Sequence, residues 1–177
     1  MKLFRFGLVL SFVLLSSAFA PSVFSQCYIW NGNQWTGNSV TYSINSGLAT
    51  NDASEQDWKN AINSAVAQWN GAGANFEFNQ GSDVSYDPNT EPAGVYQLGW
   101  YAQSGDPTTA YTNVTDDPNN SAVITKVETY FNEAYDYSAN PSSTQLDIWT
   151  IAVHELGHWL DLQSETDPGC SSRSRGI

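Results

Sequence analysis

The spacing of apolar residues predicts a helix in the first half of the chain. Residues 54–70 carry an apolar stripe at helical spacing, formed by Trp58, Ile62, Ala65, Val66 and Trp69. Gly71 and Gly73 follow the last turn and mark the end of the helix. Because a stripe at this spacing is typical of a buried helix face, we assign these aromatic residues to the core and not to a binding surface.

Four further segments have the alternation or the β-forming composition of strands. They are residues 40–44, 75–78, 94–101 and 122–131. The segments between them are rich in Asp, Pro, Asn, Gly and Thr, and we interpret these as loops. Together with a second helix near the C-terminal end, this order predicts an α+β domain.

The second helix contains both histidines of the chain, in the pentapeptide His154-Glu155-Leu156-Gly157-His158. Glu155 is the only charged residue between Thr150 and Leu160, which indicates a helix buried except on one face. The pattern Thr144-x-x-Asp147 resembles a capping box, with Asp at the usual Glu or Gln position, and predicts where the helix begins.

The histidine spacing predicts a metal site. Residues four apart on a helix lie on one face, so His154 and His158 can both bind one Zn²⁺. Glu155 follows the first histidine and is placed to take a proton from a metal-bound water, as in the HExxH mechanism. The alternative is a buried helix with two hydrogen-bonded core histidines, and we favour the metal site.

Residues 1–25 have the pattern of a secretory signal peptide. A basic start with Lys2 and Arg5 precedes an apolar run at residues 6–15, and we expect cleavage after Ser25. The expected organisation is therefore a signal peptide at 1–25, one catalytic domain at 26–170 and an irregular tail at 171–177. We expect the protein to be secreted.

The charge balance excludes some partners. Cleavage would leave Lys59, Lys126, Arg173 and Arg175 as the basic residues, against all 18 acidic residues of the chain. A surface this acidic argues against nucleic acid or anionic membranes as partners, and we expect a monomer. Acidic loops at residues 83–87 and at Asp116-Asp117 are weak candidates for structural Ca²⁺.

Export is compatible with a disulfide between the two cysteines, Cys27 and Cys170. Pairing across so long a loop would stabilise the fold by about 4–5 kcal/mol in the chain-entropy model. The alternative is that both thiols stay unpaired.

These motifs resemble those of the matrixin-like group of the metzincin peptidases. The resemblance spans roughly residues 28–162, although only residues 151–160 are highly specific. It implies a twisted mixed sheet packed on two long helices, and zinc-dependent endopeptidase activity on proteins or peptides. It also implies that substrate adds to an edge strand, for which we take residues 94–101 as the candidate.

The chain departs from the metzincin pattern HExxHxxGxxH after the second histidine. Asp161 occupies the glycine position and Ser164 the position of the third ligand. The third ligand is therefore left open among Asp161 on a continued helix, Ser164, Glu165, Asp167 and water. Met1 is the only methionine, so the methionine turn of the group is absent, and we expect a chain truncated after about Cys170.

Two other functions remain open. The many Trp and Tyr residues could form a carbohydrate- or peptide-stacking surface of a secreted binding module whose metal site is vestigial. Alternatively, the chain is an inactive truncated peptidase. Neither alternative explains the HExxH helix as directly as a zinc peptidase does.

Overall fold

The computed structural model describes residues 28–45, 55–84, 96–101 and 105–164. In chain order the elements are β1 Tyr28–Trp30, β2 Gln34–Trp35, β3 Ser39–Ile44, α1 Glu55–Asn70, β4 Glu77–Gln80, β5 Gln97–Tyr101, β6 Ala110–Asp117, β7 Asn120–Asn132, β8 Tyr137–Ser138, β9 Leu146–Asp147, α2 Ile148–His158 and β10 Leu162–Ser164. The predicted signal peptide, both cysteines and the predicted tail lie outside the described residues. Within them, no helix is long and apolar enough to cross a membrane.

A mixed sheet of six strands forms the centre of the described structure. Its strands follow the order β2-β7-β5-β3-β4, and β6 pairs with the other side of β7. All the pairings are parallel except that between β6 and β7, which is an antiparallel hairpin. This sheet and the two helices confirm the predicted α+β class.

The strand predictions were correct for β3, β5 and β7, two residues too early for β4, and wrong in two respects. β5 pairs with β3 on one side and β7 on the other, so the segment we took as the substrate edge is internal. The edge position beside β7 belongs to β6, in a region interpreted as loop. Its residues Tyr111, Thr112, Val114 and Thr115 are β-formers, but the neighbouring Asp, Pro and Asn residues obscured the pattern.

The core lies between the sheet and α1, as the apolar stripe predicted. Trp58 of α1 packs on Trp100 of β5 at 5.2 Å between ring centroids and on Phe131 of β7 at 6.2 Å. Tyr137 closes this aromatic cluster against Trp100 at 5.3 Å. Ring pairs at these separations bury much apolar area and fix the position of the helix on the sheet.

α2 is held in place at its start, middle and end. Its N-cap is Asp147, whose Oδ1 accepts from the backbone N–H of Trp149 at 3.1 Å, so the helix begins later than the Thr144 pattern predicts. The indole of Trp69 in α1 donates to the carbonyl of Val153 at 2.9 Å. The indole of Trp35 donates to the carbonyl of Trp159 at 2.7 Å and so fixes the C-terminal end.

Candidate metal centre

α2 brings the three residues of the predicted site together. His154, Glu155 and His158 each offer a ligand atom, and these atoms all lie within 4.8 Å of one another. The two imidazole rings are 4.9 Å apart and nearly perpendicular, at 88°. This spacing follows from the four-residue separation on a helix and suits two nitrogen ligands of a tetrahedral ion such as zinc.

The carbonyl of Leu162 orients the His158 ring. It lies 2.6 Å from His158 Nδ1, and because a carbonyl oxygen only accepts, the proton must sit on Nδ1. In the neutral ring Nε2 is then the unprotonated nitrogen, which is the form that binds a metal. Hydrogen bonds of this kind to the second ring nitrogen are usual at histidine metal sites, so the donor set fits zinc.

Glu155 is buried on the sheet side of α2. Only 5% of it is exposed, and its Oε2 accepts a hydrogen bond of 2.7 Å from the hydroxyl of Thr112 on β6. The same hydroxyl lies 2.7 Å from Thr129 Oγ1 on β7. The carboxylate is therefore held by the β6–β7 hairpin, and Oε1 is the oxygen that remains for a substrate or a water.

Burial shifts the pKa values of two of these groups. It lowers the pKa of His154, and the neighbouring His158 acts in the same direction, so the imidazole is kept neutral as a metal ligand must be. Burial raises the pKa of Glu155, while the Thr112 hydrogen bond and the charge of His158 oppose the shift. A raised pKa suits a carboxylate that takes up and releases a proton.

A cleft of about 280 Å³ runs between β6 and the histidine face of α2. Tyr111 and Val114 of β6 and Gln163 of β10 also line it. Of the described strands, only β7 pairs with β6, so the second edge of β6 is not used by the sheet. An extended peptide can therefore add to that edge beside the histidines.

Asp161 does not join the metal cluster, which corrects one expectation for the third ligand. α2 ends at His158, and Asp161 adopts a left-handed conformation with φ of 59°. Its carboxylate is buried and accepts a hydrogen bond of 2.7 Å from the backbone N–H of Asn33. Asp161 thus makes the turn expected of a glycine at this position of the metzincin motif.

The other third-ligand candidates stay predictions. After the Asp161 turn the chain continues as β10, which pairs antiparallel with β1 and places Ser164 opposite Tyr28. Glu165 and Asp167 lie outside the described residues. Ser164, Glu165, Asp167 and water therefore remain open.

The structure adds little to the calcium and binding-module alternatives. Asp83 forms an ion pair with Lys59 at 2.6 Å, and Asp116 accepts from the side chain of Asn33 at 3.2 Å. Calcium binding at these loops stays a prediction. Trp30 and Trp149 are the exposed large apolar residues in the described part of the chain, so most of its aromatic residues serve the core.

Sequence reasoning missed Thr112, Thr129 and the Leu162 carbonyl. Threonine is common in strands, and neither residue carries a local signal of a role near the histidines. Recognising β6 as a strand with hairpin partner β7 would have shown that Thr112 and Thr129 face each other across it. The contact of Thr112 with α2 depends on how the helix docks on the sheet.

Comparison with known sequence families identifies a family for this chain. The sequence model of the Matrixin family matches residues 34–170, which is more than half of the chain. The match includes β6, β7 and the whole of α2. No curated protein matches the chain.

Proposed function

The chain belongs to the matrixin family of metallopeptidases, and on that basis we propose that it is a secreted zinc endopeptidase with Glu155 as its general base. The observation that supports this most directly is the convergence of His154, Glu155 and His158, whose ligand atoms lie within 4.8 Å of one another in the lining of a cleft. The matrixin family is zinc-dependent, and a peptidase domain acts on proteins or peptides. The assignment of roles to individual residues is our proposal.

His154 and His158 would hold the zinc through their neutral imidazoles. When bound, zinc polarises the scissile carbonyl and lowers the pKa of a bound water to about 7. Glu155 would accept on Oε1 the proton of the water whose oxygen attacks the scissile carbonyl carbon, and would deliver that proton to the amine nitrogen as the C–N bond breaks. A ligand from residues 164–167, or a water, would complete the coordination shell.

Substrate would bind along β6 and not along β5, because β5 is internal to the sheet. Backbone hydrogen bonds to the unused edge of β6 would hold the peptide extended. Its scissile bond would then lie between β6 and α2, with Tyr111 and Val114 on the β6 wall contacting side chains.

The test combines zinc content with cleavage of casein by the purified chain. We expect one zinc per chain and zinc-dependent cleavage in the wild type. Glu155→Ala should keep zinc and lose cleavage, whereas His154→Ala should lose both. Glu77→Ala, which removes an exposed carboxylate of β4, is the matched control and should behave as wild type.

Two results would contradict the proposal. Cleavage by Glu155→Ala at the wild-type rate would remove the general base from the mechanism. A wild-type chain that neither binds zinc nor cleaves casein, but still binds a peptide or a carbohydrate, would favour the binding-module alternative.

A further inference from the structure

A chain of side-chain hydrogen bonds links the C-terminal end of α2 back to Glu155 through the β6–β7 hairpin. Trp159 Nε1 lies 2.8 Å from Thr129 Oγ1, Thr129 Oγ1 lies 2.7 Å from Thr112 Oγ1, and Thr112 Oγ1 lies 2.7 Å from Glu155 Oε2. We call these four residues the hydroxyl relay. Trp159 and Thr129 are fully buried.

The two ends of the relay fix the direction of every hydrogen bond in it. The indole of Trp159 can only donate, and the ionised carboxylate of Glu155 can only accept. Thr129 therefore accepts from Trp159 and donates to Thr112, and Thr112 donates to Glu155. Each hydroxyl accepts one bond and donates along the relay, and the Thr112 hydroxyl also lies 3.4 Å from the backbone carbonyl of Glu155, a longer contact than the 2.7 Å to Oε2.

From this geometry we propose that Thr112 is a positioning residue for the general base, oriented by Thr129 and Trp159. The proposal rests on the proposed peptidase function only for its effect on turnover. Binding Oε2 restricts rotation of the carboxylate and leaves Oε1 as the oxygen for the attacking water. Catalytic groups need this support because small displacements cost large factors in rate.

The relay also couples the base to the substrate-binding strand. Thr112 lies in β6, whose outer edge would pair with the peptide, and it contacts a residue 43 positions later in α2. Thr112 pairs with Thr129 in the register of β6 against β7. A shift in this register would therefore misplace both the peptide and the carboxylate.

The test replaces the Thr112 hydroxyl with groups of the same shape or the same chemistry. Thr112→Val keeps the β-branched shape and removes the donor, and we expect kcat to fall about 10- to 100-fold. KM, zinc content and thermal midpoint should stay near wild type. Thr112→Ser restores the donor and should recover most of kcat.

Thr125→Val is the matched control for the relay. Thr125 lies on the same hairpin, is exposed, and donates to the carbonyl of Thr115, away from Glu155. It should keep wild-type kcat and KM. Full kcat in Thr112→Val, or equal losses in Thr112→Val and Thr112→Ser, would overturn the proposal, as would a loss confined to KM or zinc content.

A measurement without zinc or substrate separates this proposal from the peptidase function. The indole N–H resonance of Trp159, assigned with Trp159→Phe, should shift in metal-free Thr112→Val and stay in place in Thr125→Val. If the wild type does not cleave casein, the peptidase proposal fails and this resonance still decides the relay. An unchanged Trp159 resonance in Thr112→Val would refute the relay whatever the activity.

Discussion

Replacing Asp161 with glycine tests whether the turn after α2 is held by the carboxylate or merely tolerates it. Asp161 has φ of 59°, and its buried carboxylate accepts from Asn33 N–H at 2.7 Å. A glycine adopts this conformation without strain, which would favour the variant by about 1 kcal/mol. The variant loses a hydrogen bond to a charged group, which contributes about 1.5–3 kcal/mol to stability. It loses about 0.4–1 kcal/mol more because glycine has more conformational freedom in the unfolded chain.

The losses outweigh the relief of strain, so Asp161→Gly should lower the free energy of unfolding by about 1–3 kcal/mol. Urea unfolding followed by tryptophan fluorescence measures this directly. With a slope of about 2 kcal/mol per molar urea, the midpoint should fall by about 0.5–1.5 M while the slope stays constant. The measurement is made on metal-free protein, so that metal binding does not contribute.

Asp161→Asn is the control for this reasoning. Asparagine keeps an oxygen acceptor and tolerates the left-handed conformation, so its loss should be smaller, at about 1 kcal/mol. If Asp161→Gly equals or exceeds the wild type in stability, backbone strain dominates at this position and the hydrogen bond to Asn33 contributes nothing measurable.

Three further predictions concern stability. Burial, and to a smaller extent Asp83, raises the pKa of Tyr42 from 10.0 to about 12. Because Tyr42 therefore loses its proton at a lower pH in the unfolded chain than in the folded one, the free energy of unfolding should fall between pH 10 and pH 12. This fall should be less steep in Tyr42→Phe. Equal slopes in urea titrations of the two proteins would contradict this. Leu156→Ala removes a fully buried side chain and should lower the free energy of unfolding in urea by about 2–5 kcal/mol. Ser121→Ala, at an exposed position, should leave it almost unchanged. Similar losses in both variants would mean that α2 does not pack as described. Zinc at 100 times its dissociation constant should stabilise the fold by about 2.7 kcal/mol and raise the thermal midpoint. A chelator should reverse this, and an equal zinc response in His154→Ala would count against the site.

The local sequence pattern was sufficient to predict the elements whose residue spacing is itself typical of a helix. Of the predicted α1 stripe, Trp58, Ile62, Ala65 and Val66 are buried as the spacing predicts, and Trp69 is half-buried. The two histidines are brought together because they lie one turn apart on a single helix, a relation that depends only on the spacing of the sequence. The same pentapeptide and its apolar flanks carried the family resemblance, which the Matrixin match confirms.

Long-range pairing decided what local pattern could not. The sequence shows β5 as a good strand but carries no signal of its neighbours, and the β3 and β7 pairings make it internal. The sequence left open whether α2 continues to Asp161, because helical continuation is locally allowed there. The structure ends the helix at His158, and a hydrogen bond from Asn33, 128 residues away, accompanies the left-handed turn at Asp161.

The sequence by itself determined the helix that carries His154, Glu155 and His158, since both the helical period and the ligand spacing are local. Only the tertiary structure decided the surroundings of these residues. Thr112 and Thr129 reach Glu155 because the β6–β7 register and the docking of α2 bring together residues that are distant in the chain. Such contacts depend on packing over the whole domain, and no short segment encodes them.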